Sequence, residues 1–443
     1  MPKTYTAEQI LALAPDAAAA QAGKGLATAR KWQTLGRDDR SVWGECQGSG
    51  AKPYQTRLDL DEPAFKCSCP SRKFPCKHAL GLFLLFADQS SLFKEAAPPA
   101  WVAEWLASRD QREQKQAEKQ AEKAARPVDE AAQAKRAASR DAKVETGLRD
   151  LDLWLHDLIR NGLATAATQP LNFWLNPAAR LVDAQAPGLA RRVRDLATLP
   201  ASGEGWQDRL LQRLSQIHLL IESYRRLEAL APEMQAEVRT QIGWTQDQDQ
   251  VLNAAGVRDQ WWVLGQRVQE EDRLRVQRTW LWGQTTAWPA LILNFAYGAQ
   301  PFSEMSLMPA TTIDATLAYF PAAFALRALI KDQPVMVDSH AAPLGFATLA
   351  DAFAAYAEAL IRNPWLDRYP FTLQNVWPIQ RNDFWYLRDQ VGHTISLSPY
   401  SVQGWTLFAL SGGQPITVSG EWNGEALWPL SVWANDRFVQ VSE

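Results

Sequence analysis

The chain has 443 residues with 47% hydrophobic and 21% charged content, enough apolar sequence for substantial cores and too long for one ordinary domain. Its formal net charge of −3 excludes a global positive field that would draw it to nucleic acid, so any such binding needs a local patch. Four cysteines do not make a disulfide framework, and no apolar run approaches the roughly eighteen residues that suggest a membrane span.

The start, MPKTYTAEQILALAPDAAAA, lacks a long apolar core and carries Glu8 and Asp16 early, which reads as mature protein without a signal peptide. Residues 6–36 read as two short helices, with Thr6 and Gln9 in capping-box places and Pro15 starting the second. SVWGECQGSG reads as a strand entering a glycine-rich turn, with Cys46 as a buried small hydrophobe. In PYQTRLDLDEPAFKC, Tyr54, Thr56, Leu58 and Leu60 alternate with Gln55, Arg57 and Asp59, the period of a strand.

The segment KCSCPSRKFPCKHALG then crowds Cys67, Cys69, Cys76 and His78 into twelve residues. Residues two apart on a strand point to one side about 6.5–7 Å apart, so Cys67 and Cys69 can lean toward a common ion. The connection PSRKFP is short and rich in turn formers. Cys76 is expected just before a helix, with His78 in its first turn, because HALGLFLLFADQ is a dense apolar run. A helix N-terminus favours nearby thiolate. Three sulfurs and one imidazole form the Cys₃His set of a closed tetrahedral zinc site. Three thiolates, a neutral His and Zn²⁺ sum to about −1, which Lys66, Arg72, Lys73 and Lys77 offset. Four protein ligands leave no open position, so the expected ion is a single structural Zn²⁺.

The C-x-C-x₆-C-x-H spacing resembles the SWIM zinc finger, and Cys67, Cys69, Cys76 and His78 match its pattern one for one. The resemblance, which spans about residues 30–90, implies a β-hairpin-plus-helix unit. It extends to bacterial SWIM-finger proteins of the type often encoded beside MoxR-type AAA+ ATPases and von Willebrand A-domain proteins. Those two classes are the partners that it implies. SWIM domains are proposed to bind DNA or protein, so the resemblance does not choose between them.

After the finger, APPAWVAEWLASR carries Trp101, Val102, Trp105 and Leu106 on an amphipathic segment behind a double proline. Residues 108–143 contain no aromatic residue and hardly a large apolar one; mixed charge and strong helix formers predict an exposed helical or disordered linker. From Val144 a helical period returns in Leu148, Leu151, Trp154, Leu155 and Leu158, and WQDRLLQRLSQIHLLIESYRRLEAL continues it. His156 and His218 read as ordinary surface or core histidines. Beyond about residue 256 alternation dominates: a hairpin around Gln269–Asp272, buried strands in ALILNFAYG and TLAYFPAAFALRAL, a helix in GFATLADAFAAYAEALIRNPW, then short strands in FWYLRDQ, TISLSP, GWTLFALSGG, PITVSGEWNG, LWPLSVWAN and RFVQVSE.

The fold class expected is α+β multidomain, with an N-terminal ββα finger, a central helical bundle and a C-terminal mixed region rich in antiparallel β. The domains expected are 1–106, a linker 107–143, a bundle 144–255 and a β-rich region 256–443. No Walker A loop, G-x-S-x-G or H-E-x-x-H is present; His340 and His393 read as loop histidines, and no enzyme is expected. The function expected is a cytoplasmic zinc-binding interaction or adaptor protein. The alternative is DNA or RNA binding, with Lys66, Arg72, Lys73 and Lys77, and Arg30, Lys31, Arg37 and Arg40 upstream, meeting phosphates while Phe74 stacks on a base.

Overall fold

The computed structural model describes the chain apart from residues 1–4, 16, 49–51, 61–63, 72–74, 126–129, 272–273, 298–301, 303–306, 338–344, 399–402, 436 and 442–443. Helix α1 (Ala7–Ala12) opens with the predicted capping box: Thr6 Oγ accepts from the Gln9 N–H, and the Gln9 side chain accepts from the Thr6 N–H. Helix α2 (Ala17–Lys24) follows. The chain then departs from the sequence expectation, because Trp32–Arg37 is a strand, β1. It pairs antiparallel with β2 (Ser41–Cys46), and Gly36 lies so close to the Trp43 ring that a Cβ there would stand 2.5 Å from it. That hairpin pairing overrides the helical reading of residues 32–36.

Strands β3 (Tyr54–Asp59) and β4 (Ala64–Cys67), helix α3 (Lys77–Asp88) and the short strand β5 (Lys94–Glu95) complete this unit. Its sheet runs β4-β3-β2-β1-β5, antiparallel except for the β1–β5 pair. The predicted ββα finger is therefore the edge of a five-stranded sheet. One core gathers Ile10, Leu13, Leu58, Leu80, Leu82 and Leu85, so α1 and α2 brace α3.

Helix α4 (Ala100–Ala125) anchors its first turns on this unit by burying Val102, Trp105 and Leu106 against Trp43. Arg57 of β3 lies 5.1 Å from the Trp101 ring and 5.7 Å from that of Trp105, a cation–π contact that lets a charged strand residue be covered. Asp59, buried in the same strand, meets Arg40 at 3.1 Å and Arg109 of α4 at 3.3 Å. Helix α5 (Glu130–Arg160) is exposed along residues 134–139 and becomes apolar and buried from Val144. The charged stretch between finger and bundle is thus helical among the described residues.

Helices α6 (Leu171–Asp183), α7 (Pro187–Asp195), α8 (Trp206–Arg225) and α9 (Pro232–Ile242) pack with the second half of α5, burying Leu148, Leu151, Leu181, Leu189, Leu214, Leu220 and Val238. The short helix α10 (Gln248–Asn253) leads into the β region.

The second sheet contains β6 (Val257–Glu271), β7 (Leu274–Gly283), β8 (Pro289–Tyr297), β9 (Thr312–Tyr319), β10 (Ala328–Ile330) and β11 (Val335–Val337), in the order β10-β9-β6-β7-β8 with β11 on β9. The predicted hairpin is β6–β7. Helix α11 (Leu349–Arg362) precedes the third sheet, formed by β12 (Tyr369–Arg381), β13 (Phe384–Arg388), β14 (Thr394–Ser396), β15 (Ile416–Trp422), β16 (Leu427–Ala434) and β17 (Arg437–Gln440) in the order β14-β13-β12-β15-β16-β17.

One expectation fails here, and one element goes unforeseen. GWTLFALSGG is not a strand; Gly404–Ser411 forms helix α12, ended by Gly412 at φ 52°. A short apolar run does not separate strand from helix, and the left-handed glycine stop decides. Strand β12, the longest in this sheet, lies in a segment the sequence left unread.

The two C-terminal sheets meet around a buried carboxylate. Glu421 of β15 accepts from Trp280 Nε1 at 3.0 Å and Arg278 Nε at 3.2 Å, with Arg267 at 3.7 Å and Arg368 also bonded. Met308 and Met336 pack against the N-terminal core, so the finger is built onto the β region. Among the described residues no helix is long and apolar enough to cross a membrane.

Candidate metal centre

Each donor of the cluster is set by a different local feature. Cys67 ends β4, opposite Thr56 in the β3–β4 ladder, so the two side chains share a face. Cys69 lies two residues further on, past the end of β4 rather than on it, where the chain bends before Pro70. Cys76 occupies the N-cap of α3 with extended backbone, and His78 is the second residue of the helix. The end of β4 and the start of α3 lie side by side, which brings the four together.

The ligand atoms of Cys67, Cys69, Cys76 and His78 all lie within 4.8 Å of one another, and Cys67 Sγ is 3.8 Å from His78 Nδ1. A tetrahedral zinc with Zn–S of about 2.3 Å and Zn–N of about 2.0–2.1 Å needs S···N edges of about 3.6 Å and S···S edges of about 3.8 Å. The donors stand close to that geometry, and the set is suited to one zinc ion. Cys76 and His78 are buried, while Cys67 and Cys69 are half-buried.

The four donors also perturb one another's protonation. Hydrogen bonds with Cys67 and Cys76 hold the Cys69 thiol well below its usual range, while contact with Cys67 and Cys69 and burial push Cys76 up. Burial pulls His78 down, but the neighbouring Cys67 and Cys69 outweigh it together and push the imidazole up to about 9. Four donors crowded this closely contend for protons that a divalent cation would displace.

The surroundings support the donors. Thr56, fully buried, places Oγ1 3.2 Å from Cys67 Sγ, where its hydroxyl can donate to that sulfur once it is a zinc-bound thiolate. The Tyr54 ring packs on the His78 imidazole with centroids 4.9 Å apart. Neither residue was singled out as part of the site, although both lie on the alternating face that the sequence did show. Cys46 pairs with Tyr54 across β2–β3, is buried, and stays outside the donor set; burial pushes its thiol up.

The expected contact residues scatter more. Lys66 and Lys77 are exposed on either side of the cluster, at β4 and the first residue of α3. Arg72, Lys73 and Phe74 lie outside the described residues, as does His340. Arg30 and Lys31 are exposed, whereas Arg37 pairs with Glu95 at 3.4 Å and Arg40 with Asp59 and Asp110. His156 and His218, read separately from sequence, meet on α5 and α8: each places Nδ1 about Asp152 Oδ1, at 3.4 and 3.3 Å. His393 is exposed, 3.6 Å from the buried Asp389 that caps its own turn.

Comparison with known protein families agrees with this geometry at two places. Residues 54–86 match the SWIM zinc finger, which places β3, β4, the four donors and most of α3 inside the match. Residues 139–242 match the SWIM-associated four-helix bundle domain, which takes in the apolar half of α5 and runs to the end of α9. The chain thus carries a SWIM-type zinc-binding module followed by the helical domain associated with it. No curated protein and no solved structure matches the chain.

Proposed function

We propose that the chain is a zinc-stabilised interaction protein, an adaptor rather than an enzyme, in which the metal fixes a recognition surface and does no chemistry. The closed Cys₃His donor set carries this reading, because four protein ligands leave no position for substrate or activated water. The finger's surroundings favour a protein as its target over a phosphate backbone. Arg40 is held by Asp59 and Asp110, Arg37 faces Glu95, and Arg57 is buried beneath Trp101 and Trp105. Part of the positive charge near the finger is spent internally, while Arg30, Lys31, Lys66 and Lys77 stay exposed.

The partners proposed are a MoxR-type AAA+ ATPase and a von Willebrand A-domain protein from the same genome, with the ATPase supplying any mechanical work. The proposal takes the cytoplasm as the site of action, where thiolates stay reduced. The test is direct binding between purified full-length chains by calorimetry. A complex with either partner that weakens when Lys66 and Lys77 are replaced by Glu, or when zinc is stripped, supports the reading. Absence of a complex with both, or a complex indifferent to zinc and to those substitutions, overturns it.

A further inference from the structure

The third sheet has a partly exposed face at its β14–β13–β12 edge, on which Arg381, Phe384 and Arg388 are exposed and Trp377, Ile379, Tyr386, Thr394 and Ser396 are half-buried. The ladder pairs Trp377 with Arg388, Ile379 with Tyr386, and Arg381 with Phe384; β14 adds Thr394 beside Arg388 and Ser396 beside Tyr386. Partners in a ladder, and residues two apart along a strand, point to the same side. These eight side chains therefore form three cross-strand rows about 6.5–7 Å apart. Each row holds one aromatic ring, and two rows hold an arginine. Phe384 is 57% exposed, Arg381 and Arg388 are exposed, and the Arg388 guanidinium lies 5.8 Å from the centre of the Trp377 ring.

The opposite side of β13 and β14 is covered, although Gln380 at the end of β12 stays exposed there. Leu387 and Ile395 are in the core, and Trp385 is covered by α12, whose Gly404 presses on its ring. The open face is thus mounted on a rigid backing. Its charge is uncompensated: among the described residues neither Arg381 nor Arg388 has a carboxylate within ion-pair distance, in contrast to Arg40, Arg192, Arg225, Arg278 and Arg368. Two acidic residues lie close in sequence: Asp383 belongs to the β12–β13 turn beyond the last row, and Asp389, next to Arg388, is buried and accepts from the backbone N–H groups of Leu349, Val391, Gly392 and His393.

We propose that this face binds single-stranded nucleic acid, with bases laid on Trp377, Tyr386 and Phe384 and the phosphate backbone met by Arg381 and Arg388. Aromatic rings spaced over adjacent strands offer stacking surfaces to splayed bases, and unpaired guanidinium groups flanking them offer the charge that the backbone requires. A duplex keeps its bases stacked inside and cannot use the rings. The surface is remote in sequence from the zinc cluster and is independent of the function proposed for it.

Fluorescence anisotropy of the full-length chain with labelled 20-mers of deoxythymidine and uridine tests this, with a duplex of equal length beside them. Binding to a single strand, several-fold tighter than to the duplex, is expected. Phe384→Ala and Tyr386→Ala should each weaken it by about fivefold or more. Arg381→Gln with Arg388→Gln should flatten the logarithmic salt slope by about 1.4. Phe384 and both arginines are exposed, so circular dichroism should show unchanged folding in those variants. The proposal is overturned by no single-strand binding, by equal affinity for duplex, or by binding unaffected in these variants and lost in Lys66→Gln with Lys77→Gln. A protein partner that survives nuclease treatment and is lost in the same sheet variants also overturns it.

Discussion

Replacing Thr56 by Val isolates the support given to the metal. The exchange removes one hydroxyl and keeps the branched shape, in a side chain that is fully buried opposite Cys67. The hydroxyl stands 3.2 Å from Cys67 Sγ, so what is lost is one hydrogen bond to a thiolate. Hydrogen bonds to charged groups contribute about 1.5–3 kcal/mol. Removing the partner of a metal ligand costs about 10–100-fold in affinity, or about 1.4–2.7 kcal/mol, and the two ranges overlap. Competition against a chromophoric chelator should show zinc bound about 10–100-fold more weakly by Thr56→Val, with Thr56→Ser close to the parent. Thermal unfolding in excess zinc should change little. Unaltered zinc affinity in Thr56→Val would mean that Cys67 draws no stabilisation from β3, and the second-layer role argued for Thr56 would be wrong.

Other expectations follow from the same geometry. His78→Ala should drop zinc content to near zero and expose amides of residues 64–80 to hydrogen exchange while residues 144–242 keep their protection, since the bundle has its own core; equal protection in parent and variant would refute it. Trp105→Ala should cost about 3–5 kcal/mol, because it empties a buried site and uncovers Arg57; denaturant unfolding of the N-terminal unit measures this. Glu421→Gln should destabilise the joint between the C-terminal sheets by about 3–5 kcal/mol, leaving Arg267, Arg278 and Arg368 around a neutral amide. Burial raises the Glu421 carboxyl, but Arg368 and Arg278 more than offset this and hold it below its usual range. A folded value below the unfolded one gives stability that is present above the unfolded value and lost as pH falls through the folded one. Acid titration should therefore cost the parent this stability below about pH 4, and Glu421→Gln should be insensitive to that component.

The metal centre was legible because its information is local. Twelve residues contain all four donors, the strand before them alternates, and the helix after them is a dense apolar run. The bundle was legible for a related reason, since Leu148, Leu151, Leu155 and Leu158 repeat at helical spacing. What escaped notice depends on the pairing partners that each segment finds, near or far along the chain. Trp32–Arg37 is a strand because β2 and β5 lie on either side of it. Strand β12 contains Pro370 and Pro378, which locally argue against a central strand, yet β13 and β15 flank it. The apolar run at Trp405–Leu410 carries no period to separate helix from strand, and only the following glycines do. Thr56 and Tyr54 gained their roles from ladder register, and the neutralisation of Arg40 by Asp110, seventy residues away, has no sequence signature at all.

Metal analysis of the purified full-length chain bears most directly on the account. Elemental analysis should find one zinc per chain, retained by Cys46→Ala and lost in Cys69→Ala, with X-ray absorption showing three sulfur ligands and one nitrogen ligand. A chain that is fully folded and carries no zinc, or one whose zinc survives loss of Cys69 but not of Cys46, would contradict it.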